Sequence, residues 1–470
     1  MNGASVSRRQ FLRLTGGVMG VGLLAACTPA GPTAAPAAGS ESSSGAMTVA
    51  EDTPLWVLLT QDFHPDYNTF VRTHVEDFAV EKGWPLEVAD TAGFLGGGSD
   101  IQKIGAAVAA DDAPDVWMHN VSVIQMKALG TVVNVTDIVE ELIAQYGDIA
   151  PLMRKGTYVE DGFYGVPYHG RAGGGYVRDD VFKEKGIDIS TIRLFDDLRE
   201  ACLEVSDPSK EMWGWGMTVN RSGDGNTMIY RALHGWGATW VDETGQYVTI
   251  DSPETIDAIN WLVDTFTNEK WQPMMPPGIL SWVDPSNNEA YLGGKIAYTQ
   301  NAGTVLAKAY FDKNPVAEKT VFHPMCGGPK LQEFNGQGSQ NFLKIKGGKN
   351  PDAADELIRS FFTEEAMNGA FENARAYAIP SYESMWDWPI IKDTPQTIAV
   401  KPSALDPSGY SGLSWPGPLT AQIAAIDTNS VAPDMIAAVL NGQSTPEEAV
   451  KIAYEKSVQI FKEFGAPGAK

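Results

Sequence analysis

The sequence predicts an α/β protein of more than one domain, on three observations. Between residues 53 and 118 strand patterns alternate with helix patterns, the order that builds a parallel sheet with helices on its faces. The second half carries helices with well-marked starts. More than four hundred of the 470 residues follow Ala46, enough for two or three domains with substantial cores.

The elements follow in order. Thr53–Thr60 reads as a buried strand, Tyr67–Glu81 as an amphipathic helix and Leu86–Ala89 as a second strand. Ser99–Ala110 is a helix capped by Ser99, and Asp115–Met118 a third strand. Ligands of such sheets sit beyond the carboxyl ends of the strands. That rule marks three loops, Gln61–Pro65, Gly93–Ser99 and His119–Ser122. Phe163–Tyr168 is a short strand running into Gly170 and the triple Gly173-Gly174-Gly175, with another strand at Tyr176-Val177. Glycines tolerate backbone angles that other residues resist, so the cluster suits a crossover or hinge, and an ordinary loop gives the same pattern. Ser252-Pro253-Glu254 opens a helix with an N-cap, a first-turn proline and an acid against the dipole, and its buried stripe is Ile256, Ile259, Leu262, Val263 and Phe266. Asn350-Pro351-Asp352 opens another that runs to Phe362, and Thr445-Pro446-Glu447-Glu448 the last, reaching Phe464. No internal repeat is evident.

The first residues read as an address rather than as fold. Arg8-Arg9 precede Leu14–Leu24, an apolar stretch diluted by Gly16, Gly17, Gly20 and Gly22 and too short to span a membrane stably. The arrangement resembles a twin-arginine export signal, which carries an already folded chain. Leu24-Ala25-Ala26-Cys27 resembles the lipobox of bacterial lipoproteins, which implies a lipid anchor on Cys27. Residues 28–46 are Pro, Ala, Gly, Ser and Thr with almost nothing to bury, the composition of a flexible tether. No later stretch reaches about twenty continuous apolar residues, so a soluble body on the outer face of the membrane is expected. A formal net charge of −24 repels phosphate backbones and anionic headgroups, which argues against nucleic acid and peripheral membrane binding. Cys202 lies in the helical pattern Phe195–Val205 and Cys326 in a Gly/Pro loop. Two buried free thiols are expected ahead of a disulfide.

Several segments, taken in order, resemble the extracellular solute-binding proteins of ABC importers, the group that includes maltose- and other sugar-binding proteins. Ala113-Pro114-Asp115-Val116 resembles the Pro-Asp-Val before a binding loop, and Phe163-Tyr164-Gly165-Val166-Pro167-Tyr168 followed by Tyr176–Phe182 and Gly186-Ile187-Asp188 resembles the first-crossover stretch. Gly293-Gly294-Lys295-Ile296-Ala297-Tyr298 with Asn301-Ala302-Gly303 resembles the second crossover. Gly327-Gly328 ahead of Ala353-Ala354 and Ile358, Phe361 and Phe362 matches a later run, and Ala378-Ile379-Pro380-Ser381 a segment near the third crossover. Arg178-Asp179 and Tyr298-Thr299-Gln300 depart from the family pattern, which leaves the ligand open. The resemblance implies the type II periplasmic-binding-protein fold: two α/β lobes, three crossovers and a central cleft that closes on ligand. It implies boundaries of 47–168 and 302–376 for one lobe and 169–301 and 377–470 for the other. It further implies a monomer without cofactor or metal, whose partners are a small solute and membrane permease subunits.

Sugars are recognised by aromatic rings against C–H faces and by planar polar groups around hydroxyls, and the 13 tryptophans supply rings. Candidate contacts in the first lobe are Asp62, His64, Trp117, His119 and Asn120, with Tyr168, His169 and Arg171 at the first crossover. In the second lobe they are Trp236, Trp240, Trp282, Asn301, Tyr410, Trp415 and Gly417. Core packing is the competing role for each tryptophan. A hydrolase is the rival class, but the chain lacks the Gly-x-Ser-x-Gly elbow, His-Glu-x-x-His and the phosphate loop. The six histidines have no metal-ligand spacing. A polyol phosphate, organic acid or polyamine stands as the alternative solute to a mono- or oligosaccharide.

Overall fold

The computed structural model describes residues 48–470 apart from 63, 92–97, 333, 335 and 411. Arg8, Arg9, Cys27, the tether and most of the 93–99 loop lie outside the described residues. Strand β1 (Leu55–Thr60) is buried along its whole length, as its unbroken apolar run requires of a strand with neighbours on both sides. β2 (Leu86–Thr91) and β3 (Val116–His119) pair with it in parallel, one on each side. Two more strands, β4 (Val166–Arg171) and β5 (Gly174–Arg178), bracket the first crossover, and β6 (Trp213–Trp215) and β7 (Ile296–Asn301) follow. β8 (Thr320–His323), β9 (Ser339–Lys344) and β10 (Ala378–Ile379) complete two sheets, ordered β10-β4-β9-β3-β1-β2 and β8-β5-β7-β6.

Helices cover both sheets. α1 (Pro65–Lys82) starts at His64, whose ring accepts from Asp66 N, and stops at Gly83 with φ 67°. α2 (Gly98–Ala109) and α3 (Val123–Ala128) follow the second and third strands, so the βα order read from the sequence holds. α4 (Phe195–Val205), α5 (Gly223–Gly235), α6 (Pro253–Thr267) and α7 (Thr304–Phe311) belong to the middle of the chain. α8 (Pro351–Ser360) returns to the first sheet, and α9 (Ala421–Thr428), α10 (Val431–Leu440) and α11 (Pro446–Glu463) end the fold. The stripe predicted for α6 is half right: Ile259, Leu262 and Phe266 are in the core, whereas Ile256 and Val263 are only partly buried against it. Cys202 and Cys326 are free, buried thiols.

Each sheet has its own main core, one from Val49 to Ala404 around the first and one from Val177 to Ala466 around the second. Three of the expected lobe boundaries move. The first crossover lies at 172–173, between β4 and β5, because β4 stays in the first sheet to Arg171. The second lies at 324–338 rather than at 302, because β8 pairs antiparallel with β5 before the chain returns as β9. The third lies between 405 and 413 rather than at 377, because Trp386, Ile391, Val400 and Ala404 remain in the first core and Leu413 is the next core residue of the second. No single helix among the described residues is long and apolar enough to cross a membrane.

Candidate binding cleft

β9 is antiparallel to both β3 and β4, and β1 is parallel to β3. The carboxyl ends of β1, β3 and β4 therefore share one edge of the first sheet, and that edge carries Asp62, His119, Asn120 and Arg171. His119 Nδ1 accepts from Val121 N at 3.0 Å, which leaves the proton on Nε2, a buried atom without a partner. Burial, with a smaller push from Arg171, lowers the His119 pKa to about 3. Arg171 N donates to Gly338 O at 3.0 Å, while its Nε is buried and unpartnered, as is Gln340 Nε2 on the adjacent strand. Tyr377 closes the floor by donating to Asp62 Oδ2 at 3.1 Å.

The opposite wall is α5. Ser222 Oγ accepts from Gly225 N at 3.1 Å, fixing the helix start just beyond β6, and Asp284 takes the Gly223 and Asp224 amides at 3.0 and 2.9 Å. Burial, reinforced by the Asp284 charge, pushes the Asp224 pKa up to about 8, so this carboxyl is mostly protonated at neutral pH. Asn226 Nδ2 donates to Asp427 Oδ1 at 2.7 Å, and the Tyr230 hydroxyl donates to the same oxygen. The protein packed around Asp427 shifts its pKa upward too. One turn on, the Arg231 guanidinium lies 4.1 Å from the centre of the Phe334 ring. His234 is 1% exposed, sits 5.4 Å from both Tyr410 and Trp415 and has no partner on either ring nitrogen. Burial first and the Arg231 charge second lower its pKa to about 3. A cavity of about 680 Å³ adjoins these rings, between Leu152, Lys155 and Tyr158 of the first lobe and Tyr410, Ser414 and Gly417.

The two walls are joined at the hinge and at the mouth. At the hinge, Gly173 N donates to Gln337 Oε1 at 2.8 Å and Gln337 Nε2 returns a bond to Gly173 O at 3.1 Å. At the mouth, Thr428 Oγ1 of α9 donates to Gln125 Oε1 of α3 at 3.2 Å.

Of the residues singled out from sequence, Asp62, His119, Asn120 and Arg171 gather on one wall and Tyr410, Trp415 and Gly417 on the other. His169 is a layer beneath: 0% exposed, it donates from Nδ1 to Gly170 O at 2.9 Å and accepts from Tyr67 OH at 2.6 Å. His64 caps α1 and stacks on Phe311, centroids 4.5 Å apart. The remaining candidates serve packing. Trp117 is fully buried behind β3, Tyr168 sits among Phe342, Phe361 and Phe362, and Trp240 is buried with Nε1 on Ser457 Oγ at 3.0 Å. Trp236 is two residues from His234, about 200° around a helix, and packs on Trp261 at 4.7 Å, away from the Tyr410 and Trp415 rings. Trp282 packs against the second core. Asn301 brackets the start of α7, accepting from Thr304 Oγ1 at 2.7 Å.

Sequence reasoning missed Asp224, Asn226, Tyr230, Arg231, His234, Gln340 and Asp427. A signal existed for the α5 group: Ser222-Gly223-Asp224 is an N-cap just past the Trp213–Trp215 strand, where the carboxyl-end rule again points to a site.

With this geometry in place, the comparisons with known proteins can be stated. Residues 91–368 match the family described as bacterial extracellular solute-binding protein. An arabinooligosaccharide-binding protein of Halalkalibacterium halodurans is 23% identical over 317 residues, 61% of this chain and 66%, just under two thirds, of the relative. Maltose-bound MalE3 of T. maritima superposes with a TM-score of 0.72 at 19% identity, covering 87% of this chain and 99% of that one. A sugar transporter of Arthrobacter chlorophenolicus with laminaribiose gives 0.71 at 15%, over 86% and 99%. A ribitol complex of an ABC transporter solute-binding protein from Agrobacterium radiobacter gives 0.73 at 16%, over 88% and 100%. The fold is thus that of the type II periplasmic binding proteins.

Proposed function

The chain belongs to the bacterial extracellular solute-binding protein family, whose members are binding proteins, and on that premise we propose that it captures a carbohydrate between its lobes and delivers it to an ABC importer. The observation that carries the carbohydrate reading is the composition of the cleft. Tyr410 and Trp415 present rings 6.4 Å apart, opposite Arg171, His119 and Gln340, which hold buried polar atoms without partners. Rings suit the C–H face of a sugar, and unmet donors suit its hydroxyls. Relatives named for arabinooligosaccharide, maltose and laminaribiose support the same class. A polyol is the second reading, supported by the ribitol-bound neighbour. In either case the solute draws the lobes together, Cys27 holds the mature chain at the membrane by lipid after twin-arginine export, and no turnover occurs.

Calorimetric titration with mono- and oligosaccharides and polyols tests this. Losing the Trp415 ring removes apolar contact of about 1–3 kcal/mol, so Trp415→Ala should bind about tenfold to a hundredfold more weakly. Scattering from the saturated parent should show a contracted particle. A parent chain that binds none of these solutes, or a Trp415→Ala variant with unchanged affinity, removes the reading.

A further inference from the structure

The fate of the arginines separates two of them from the rest. Arg72, Arg154, Arg178, Arg199, Arg221 and Arg359 pair with carboxylates at 3.0 Å or less. Arg193 and Arg375 donate to backbone carbonyls at 2.7 and 3.3 Å. Arg171 and Arg231 do neither. They come from opposite lobes, β4 and α5, and both address the cleft. In a chain with 59 acidic residues against 35 basic ones, two partly buried guanidiniums without a carboxylate at ion-pair distance among the described residues are an exception that needs a cause.

Both guanidiniums lie over the same short stretch of backbone. Arg231 covers the Phe334 ring, and Arg171 Nη2 lies 3.3 Å from the position a Cβ on Gly338 would take. Residues 334 and 338 are at most about 14 Å apart along the chain, so a ligand of two sugar rings can meet a guanidinium at either end. Among the described residues no carboxyl of the cleft stands at ion-pair distance from either guanidinium. Asp62 is engaged by the Tyr377 hydroxyl, Asp427 by Tyr230 and Asn226, and Asp224 is mostly protonated. His119 and His234 are neutral, and Tyr410, raised by burial, keeps its proton. A guanidinium out of water is costly unless an anion meets it, and its planar fork matches a carboxylate or phosphate.

We propose that the solute is an acidic saccharide, a sugar bearing one carboxylate or phosphate, whose anionic group is held by Arg171 or Arg231 while its rings lie against Tyr410 and Trp415. The proposal rests on the carbohydrate reading above and narrows it. Neutral sugars use the same rings but leave the two charges unmatched, so they bind more weakly.

The test is calorimetry on the full mature chain with three sets of probes: uronate-bearing disaccharides, the same disaccharides with each carboxylate reduced to hydroxymethyl, and sugar monophosphates. At least one acidic probe should bind tenfold or more tightly than its neutral counterpart, with an affinity that falls as salt rises. Tight binding by uronates alone or by phosphates alone identifies which anion is meant. Arg171→Gln or Arg231→Gln, whichever guanidinium meets the anion, should erase that preference, and a thermal melt matching the parent's serves as the folding control for each variant. If neutral sugars bind as well as or better than every acidic one, or the preference survives in both variants, the acidic-saccharide assignment is overturned and the carbohydrate reading stands. If no member of the three sets binds, both fall together.

Discussion

His234 shows how a single side chain can be committed to a site at the expense of stability. Its imidazole is buried among Tyr410, Trp415 and Arg231 with both nitrogens unsatisfied, a situation that costs about 1–3 kcal/mol. The folded pKa is about 3, below that of the unfolded chain, so between those values the unfolded state binds more protons. Stability linked to His234 is therefore intact above pH 6.5 and lost as pH falls toward 3. His234→Phe should raise the stability to urea at pH 7, and the gap over the parent should widen by about 2 kcal/mol at pH 5. A gap equal at both pH values would mean that the ring is not held neutral by its surroundings. The same residue marks a limit of sequence reading. A count of tryptophans announces rings but not their direction, and the register of α5 turns His234 and Trp236 to opposite sides. That Asp62, His119 and Arg171 stand at the carboxyl ends of their strands was legible, because a strand fixes where its last residues and the next one go.

At the scale of elements, β1 and α1 follow from local pattern alone, since β1 is an apolar run and α1 lies between its own N-cap and Gly83. The glycines of 173–175 lie at the first crossover, one of the two readings their sequence left open, but for another reason than the one expected. None of the three has a positive φ. A Cβ on Gly174 would meet Phe322 Cε2 at 2.0 Å, and one on Gly175 would meet the Tyr298 hydroxyl at 2.4 Å. Space, not backbone angle, demands glycine there. Gly174→Ala should cost about 1–3 kcal/mol by overpacking, and combining it with Phe322→Leu should cost less than the sum of the two changes. Additive losses in denaturant titrations would refute the packing argument. The second and third crossovers were not legible, because they depend on partners far away in sequence. β8 looks like any short strand until it pairs with β5, and the helical turns from 383 to 404 carry no mark of the lobe they cover.

At the scale of the molecule, the address and the body make separable demands. If Cys27 carries the lipid, Cys27→Ser should move the protein from the membrane fraction to the medium with its ligand affinity unchanged, and an unaltered membrane fraction would reject the anchor. The body imposes a constraint of its own. β9 stands between β3 and β4 in the first sheet, yet it is made more than 160 residues after β4 ends at Arg171. Until it arrives, β3 and β4 are open edges with unpaired backbone groups, surfaces that invite pairing with other chains. The second core likewise waits for α11, near the last residues. The first sheet therefore cannot be completed until β9 has been made, nor the second core until α11 has, so the polypeptide must be kept from its neighbours until those elements arrive. If the Arg8-Arg9 signal acts as proposed, a route that exports only finished proteins gives it that interval inside the cell.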